Sequence, residues 1–460
     1  MSLIASVSGI RGTIGGVPTK NLTPPDIVSF ASAYAKWMIS GGKDTHTVVI
    51  GRDARPSGLM VRDLVVQTLC AYGINVVDCG LATTPTVEME VVRLKADGGI
   101  ILTASHNPEN WNALKLLNHK GEFLNAEEGA KILKFVQEGA FHYASVDNLG
   151  KVTESKDALK HHIDAILHLP EINADAIAKA NFTVAVDGIN SVGALAIPEM
   201  LRALGVKNIH VINDDMHGHF AHNPEPLKEN LTDIMRVVKE SQADMGIVVD
   251  PDVDRLAFID EKGEMYGEEY TLVTAADFWL SKNPGSVVSN LSSSRALDDL
   301  AAAYNQKRFA SAVGEVHVVT TMKEEHAVIG GEGNGGVILP DLHYGRDALV
   351  GVAIVLSHLA ETGKTLSELK ATYTAYAMSK NKVQLNENTN PDNVLSKLQA
   401  HYAHQKPNTV DGLKIDFEDK WVHMRKSNTE PIIRIYSEAK SQEEADELAS
   451  SFVRQIETMV

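Results

Sequence analysis

The sequence predicts an α/β chain of three similar mixed-sheet domains followed by a smaller C-terminal α+β domain. Its 460 residues exceed what one ordinary core organises and suggest three or four domains. A unit of apolar strand, amphipathic helix and second strand recurs at intervals on the order of a hundred residues. After Met378 that rhythm gives way to clustered strands closed by a helix.

In the first copy Thr47–Ile50 is a strand, Leu59–Tyr72 a helix, Gly73 a stop and Ile74–Val77 the next strand. The second runs from the strand Phe182–Val186 through a helix at Val192–Leu204 and Gly205 to Ile209–Ile212. The strand Ser286–Leu291 and helix Arg295–Tyr304 begin a third. Strands alternating with helices imply parallel or mixed sheets covered on both faces, with ligands beyond the carboxyl ends of the strands. The C-terminal part reads as a helix at Val394–His401, strands at Leu413–Phe417, Trp421–Met424 and Ile432–Tyr436, and a last helix at Gln442–Thr458. In that helix Ala445, Leu448, Ala449, Phe452 and Ile456 fall on one face. The expected domains are 1–150, 151–255, 256–370 and 371–460.

A formal net charge of −17 argues against a nucleic-acid partner or an anionic membrane, which call for a basic surface. It leaves room for an anionic small molecule in a locally basic cleft. The only cysteines, Cys70 and Cys79, sit among apolar residues and read as buried structural thiols rather than a disulfide framework. The N-terminus lacks the pattern of a signal peptide, and the longest apolar stretch, Ala348–Leu356, is far short of a membrane span. The cytoplasm fits best.

Four loops carry chemistry. Gly99–Leu102 reads as a buried strand leading into Thr103-Ala104-Ser105-His106-Asn107-Pro108, so Ser105 stands at a strand's carboxyl end and Asn107-Pro108 forces a turn. A lone loop Ser is usually structural, and this one does not match the serine-hydrolase elbow. Lys115 follows in Asn112–Leu116, where it could return to the same cleft or be one more solvated lysine. The second loop is Asp250-Pro251-Asp252-Val253-Asp254-Arg255, after the strand Gly246–Val249. In extended chain residues i, i+2 and i+4 point the same way, so the carboxylates of Asp250, Asp252 and Asp254 are expected to converge. Crowded carboxylates repel unless a cation neutralises them, and hard oxygen ligands suit magnesium. A calcium EF-hand is excluded because Arg255, not Gly, holds position six and Leu256–Ile259 is an apolar strand. The third loop, Gly330–Gly336, lets backbone approach a ligand, while Glu332 and Asn334 could bond sugar hydroxyls. It lacks the ending of a P-loop. The fourth, Arg425-Lys426-Ser427-Asn428-Thr429-Glu430-Pro431 followed by Arg434, offers donors for a phosphate monoester or is a polar turn in water.

Together, T-A-S-H-N-P, D-P-D-V-D-R, G-E-G-N-G-G and R-K-S-N-T-E-P resemble the four signature loops of the α-D-phosphohexomutases, in the family's order. Ser8–Gly12 is similar to its N-terminal motif, and Gly51–Arg55 also matches. The resemblance spans nearly the whole chain. It implies four domains around a central cleft and a mutase that interconverts hexose 6-phosphate and hexose 1-phosphate through a phosphoserine and a 1,6-bisphosphate. It implies Ser105 as the phosphorylated residue and Asp250, Asp252 and Asp254, with Ser105, as ligands of Mg2+. Arg11, His106, Lys115 and Arg255 would serve the reacting phosphoryl group, with Lys115 as candidate general acid/base. Glu332 and Asn334 would hold the sugar, and Arg425, Ser427, Asn428, Thr429 and Arg434 the distal phosphate. A hexose 1,6-bisphosphate activator is implied, and a homodimer is compatible with it.

Three departures bear on the sugar. Gly314-Glu315 stands where mannose and glucose mutases commonly have Gly-His, and many glucosamine mutases are acidic there. Asn334 and Gly336 replace the Ser and His frequent in bacterial members, and Lys426 a frequent Pro. Glu315 therefore points to a phosphoglucosamine mutase, with a phosphomannomutase or phosphoglucomutase as the alternative. A magnesium-dependent sugar phosphatase and an inactive sugar-phosphate-binding protein are the more distant readings.

Overall fold

The computed structural model describes residues 2–6, 9–40, 45–386, 389–427 and 431–459. Two compact units emerge, Met1–Thr271 with Asn334–Glu368, and Leu272–Gly333 with Leu369–Val460.

The first unit opens with seven strands: β1 (Ile4–Ser6), β2 (Gly9–Thr13), β3 (Thr47–Arg52), β4 (Asn75–Leu81), β5 (Gly98–Leu102), β6 (Trp111–Leu117) and β7 (Val152–Glu154). They form one sheet in the order β1-β2-β6-β5-β3-β4-β7. β5, β3, β4 and β7 run parallel, and β6 returns antiparallel to β5 and β2. Helices cover both faces of its centre, which is why β5 is apolar and buried throughout. Val48, Ile50, Ile100 and Leu102 share a core with the helices Pro24–Ile39 and Gly58–Ala71, while Val49 and Ile101 pack with Val87 and Val91 of the helix Thr84–Leu94. Each such side chain contributes roughly 1.5–3 kcal/mol by leaving water. A second sheet follows from β8 (Thr183–Asp187), β9 (Asn208–Ile212), β10 (Met245–Val249) and β11 (Leu256–Ile259), ordered β11-β10-β8-β9 with only β11 antiparallel.

In the second unit β12 (Val287–Asn290), β13 (Arg308–Ser311) and β14 (Ile329–Glu332) are parallel, with β12 between the other two. The chain re-enters the first unit with β15 (Gly336–Ile338) and the buried helix Ala348–Thr362. It then adds to the second unit an antiparallel sheet ordered β16-β19-β18-β17 from β16 (Ala377–Gln384), β17 (Leu413–Asp416), β18 (Trp421–Lys426) and β19 (Ile432–Ala439). Three α/β sheets and a smaller α+β domain match the expected fold class.

Several details differ. The strand after Gly73 starts at Asn75 and runs to Leu81. β1, β2, β7, β13, β14, β15 and β16 have no counterpart in the sequence reading, because short, edge or polar strands carry weak alternation, and the longer interior β6 has none either. Gly330–Glu332 therefore lie on β14 and Gly336 on β15 rather than in one loop. Arg425 and Lys426 lie on β18 rather than in a loop. Cys70 is buried and Cys79 half-buried, both unpaired. Among the described residues no helix is long and apolar enough to cross a membrane.

Candidate active site

The first unit builds one dense polar cluster where β5 and β10 end. Beyond β5, Thr103 donates to Asp53 at 2.6 Å and its hydroxyl accepts the Ser105 amide at 2.9 Å. Ser105 is thereby turned into the left-handed region, with φ of +49°, which non-glycine residues enter at a cost. Arg55 fixes that turn. Fully buried, it pairs through Nε with Asp53 Oδ2 at 2.8 Å. Nη1 donates to the carbonyls of Pro108 at 2.6 Å and Trp111 at 2.9 Å. Nη2 donates to Asn107 O at 2.9 Å and to Ser105 O. Every guanidinium donor has a partner, so the Ser105 loop is held rigidly.

Ser105 Oγ donates to Asp250 Oδ2 at 2.6 Å. The carboxylates of Asp250, Asp252 and Asp254 do converge, with ligand atoms within 4.8 Å of one another. Extended chain is not the reason. Val253 has φ of +63° and donates its amide to Asp250 O at 3.0 Å, while Asp250 Oδ1 accepts the amides of Asp254 at 3.2 Å and Arg255 at 3.1 Å. A tight turn strained at a β-branched residue gathers the three side chains. All three are fully buried, and Oδ1 of Asp252 and Oδ1 of Asp254 have no hydrogen-bond partner. Orphaned buried carboxylate oxygens are costly unless a cation meets them. This all-oxygen donor set therefore fits a hard divalent ion.

The remaining oxygens are engaged. Lys115 Nζ lies 2.6 Å from Asp252 Oδ2 and 3.4 Å from Asp254 Oδ2. Thr84 donates to Asp252 Oδ2 at 2.6 Å, and Arg346 Nη2 to Asp254 Oδ2 at 2.7 Å. Burial, then the charges of Asp254 and Asp252, push Asp250 well above the usual carboxylate range. Burial would raise Asp254 as well, but Arg346 and Lys115 outweigh it and hold it low. Likewise, burial disfavours the Lys115 ammonium, yet Asp252 and Asp254 raise it above an ordinary lysine. His106 Nδ1 is 3.4 Å from Ser105 Oγ, and burial followed by Arg255 keeps the imidazole well below its ordinary value, hence neutral. Arg255, with an Nε that is buried and unpartnered, lies 3.7 Å from Glu225. Arg11 sits on β2 opposite Ala113 and acts on His106 as a further cation.

Behind this cluster lies a network absent from the sequence reading. His162 Nε2 and His343 Nε2 approach one Asp347 oxygen at 2.8 and 3.3 Å, and His343 Nδ1 lies 3.3 Å from Glu88. The other Asp347 oxygen caps the helix Ala348–Thr362 through the Leu349 and Val350 amides. Burial pushes Glu88 up to about 7. Asp before an apolar run was the available signal for Asp347; nothing local marks Glu88, His162 or His343.

In the second unit Glu332 ends β14, and its Oε1 accepts Asn290 Nδ2 and the Gly314 amide, each at 2.9 Å. Glu315 is buried and opens the helix Glu315–Glu324 directly after Gly314, whose φ is +115°. Arg425 Nε is 2.7 Å from Asp411 Oδ2, which also accepts the Val313 amide at 2.9 Å. Arg425, Asp411, Val313-Gly314, Glu332 and Asn290 thus form one connected chain. Arg434 is exposed on β19, and the Ser427 amide bonds Ile432 O at 3.0 Å. Asn334 lies in the first unit, its Oδ1 accepting the Gly336 amide at 3.3 Å. Ser8, Asn428 and Thr429 lie outside the described residues.

Four family models match in order. They are the phosphoglucomutase/phosphomannomutase α/β/α domains I, II and III over residues 3–143, 160–263 and 267–376, and the C-terminal domain over 382–455. A phosphoglucomutase/phosphomannomutase of Thermococcus kodakarensis is 37% identical over 97% of this chain and 98% of its own length. A phosphoglucosamine/phosphogalactosamine mutase of Sulfurisphaera tokodaii is 32% identical, covering 99% of this chain and 100% of its own. A phosphoglucomutase/phosphomannomutase family protein from Burkholderia thailandensis shares the fold, with a TM-score of 0.84 at 24% identity over 99% and 98% of the two chains. The fold and relatives define an enzyme of the phosphohexomutase class. The chain belongs to the phosphoglucomutase/phosphomannomutase family.

Proposed function

We propose that the chain interconverts glucosamine 6-phosphate and glucosamine 1-phosphate through a phosphoserine at Ser105 and a 1,6-bisphosphate intermediate. The carrying observation is Ser105 itself, clamped through Arg55 and bonded to Asp250 at 2.6 Å. Phosphoserine Ser105 gives its phosphoryl to the free hydroxyl of the sugar phosphate. The bisphosphate turns over, and its other phosphoryl returns to Ser105, so the carrier is regenerated. Asp250, Asp252 and Asp254, with Ser105, would hold Mg2+, which when bound supplies charge neutralisation at the transferring group. Lys115, held charged by Asp252 and Asp254, is the candidate general acid/base once the incoming cation and phosphoryl group draw on those carboxylates, and neutral His106 steadies Ser105 by hydrogen bonding. Arg11 and Arg255 attract the phosphoryl oxygens, so catalysis is mainly positioning and electrostatics.

Within the same reading, Glu332 and Asn334 hold the sugar, and Arg425, Ser427, Asn428, Thr429 and Arg434 the distal phosphate. The domains divide near residues 150, 255 and 370. The amino sugar is favoured by Glu315, a buried carboxylate one residue beyond the amide that Glu332 anchors. It suits a C2 ammonium, and the name of the Sulfurisphaera tokodaii relative points the same way. The Thermococcus kodakarensis relative supports glucose and mannose phosphates as the second reading.

Ser105→Ala tests the carrier: turnover is expected to fall below about a tenth of wild type with folding intact. Appearance of isomer rather than free phosphate separates mutase from phosphatase. Side-by-side kcat/KM decides the sugar, a tenfold preference requiring about 1.4 kcal/mol. Faster turnover of mannose or glucose 1-phosphate than of glucosamine 1-phosphate would reverse the choice.

A further inference from the structure

Arg346 has no counterpart among the residues that the family resemblance assigned, yet it reaches the centre of the cluster. Its Nη2 donates to Asp254 Oδ2 at 2.7 Å, and its side chain is largely buried. The path it takes is open only because position 336 is Gly. A Cβ built there would lie 2.3 Å from Arg346 Cδ and 2.9 Å from Cγ, inside any tolerable contact. Gly336 is buried on β15, without the positive φ that would otherwise demand glycine, so close approach is the reason for its presence.

The charges give Arg346 a purpose. Asp250, Asp252 and Asp254 carry three formal negative charges, and Lys115, Arg255 and Arg346 act on them as three cations. Adding a divalent cation and a phosphoryl dianion together preserves that balance. Without Arg346 the dianion would enter a site poorer by one positive charge. Holding Asp254 Oδ2 also leaves the orphaned Oδ1 as the free ligand atom.

We propose that Gly336 and Arg346 are a matched pair, the missing side chain at 336 admitting Arg346 to Asp254, and that Arg346 is the positioning residue that lets the cluster hold a phosphoryl dianion. The inference rests on phosphoryl transfer at Ser105. It is tested with Arg346→Ala, Arg346→Lys, Gly336→Ala and the Gly336→Ala/Arg346→Ala double variant. The readouts are kcat and KM, Mg2+ binding by calorimetry, and the phosphorylated fraction by intact mass after incubation with glucose 1,6-bisphosphate.

Arg346→Ala and Gly336→Ala are each expected to lower kcat by about tenfold or more and to reduce the phosphorylated fraction. The double variant should be no worse than the worse single one, since both remove the same interaction. Arg346→Lys should recover part of the loss, and Mg2+ should bind Arg346→Ala no more weakly than wild type. Additive losses, an unchanged kcat, or Mg2+ weakened in step with kcat would overturn the proposal, the last because Arg346 would then only shape a metal ligand. If Arg346→Ala does not fold, Gly336→Ala and Arg346→Lys still decide through the same readouts. Ser105→Ala run alongside separates the two ideas: turnover retained there overturns the phosphoserine reading, whereas additivity of the other variants bears on the pair alone.

Discussion

At the scale of single residues, two of the costly backbone positions fall where the chemistry is. Ser105 and Val253 both sit in left-handed backbone, on the two loops joined by the Ser105–Asp250 hydrogen bond. Neither conformation would persist without neighbours that over-determine it. Arg55 is the chief of these, a fully buried guanidinium whose removal would strand Asp53 and free four carbonyls. Arg55→Ala is expected to cost about 3–5 kcal/mol of stability, read from urea unfolding, and to abolish turnover even where the protein remains folded. Wild-type stability in that variant would mean that the clamp contributes nothing. Asp252→Asn is expected to weaken Mg2+ by calorimetry, because it removes one of the three negative charges that surround the orphaned oxygens. An unchanged binding curve would place the ion elsewhere.

At the scale of elements, the informative piece is the helix Ala348–Thr362, which the sequence showed only as an apolar run. Its N-terminus does two jobs at once. Asp347 caps the first turn and anchors two histidines, while the next amide, from Ala348, donates to Val253 O in the strained loop at 3.3 Å. A helix end thus braces the carboxylate turn from behind. Its charge state gives a pH dependence. Burial opposes a charged His343, but Asp347 and Glu88 outweigh it and raise the imidazole from 6.5 to about 10. The folded state therefore keeps a proton that the unfolded chain releases, so this stabilisation is complete below pH 6.5 and declines as pH rises toward 10. Glu88, raised from 4.5 to about 7, adds a decline in the same direction at lower pH. Thermal unfolding midpoints measured from pH 6.5 to 10 should fall for wild type, and His343→Gln should flatten that slope. Parallel curves for the two proteins would remove His343 as the cause.

For the whole molecule, the two units carry separable tasks in the proposed function. Arg425, ion-paired to Asp411 in the second unit, is expected on replacement by Ala to weaken binding of both the 1- and the 6-phosphate by about 2–5 kcal/mol. Mg2+ affinity should stay at the wild-type value, the reverse of the Asp252→Asn pattern. Unchanged affinity for both sugar phosphates would show that this part of the chain does not grip phosphate.

What the sequence determined by itself was whatever is written in contiguous residues. Strand–helix–Gly repeats announced the α/β sheets, because burial on both faces demands unbroken apolar strands such as β5 and β10. Loops at strand ends announced the serine and the three aspartates. What only the tertiary structure decided was everything that depends on residues far apart in the chain. Arg55 clamps carbonyls some fifty residues away, Arg346 crosses Gly336 to reach Asp254, and Glu88, His162, His343 and Asp347 meet from three separate segments. Even the convergence of Asp250, Asp252 and Asp254, foreseen correctly, came from a turn rather than from extended chain. Backbone periodicity is a local property that sequence displays, whereas the pairing of buried charges is settled only when packing excludes water and each group must find its partner.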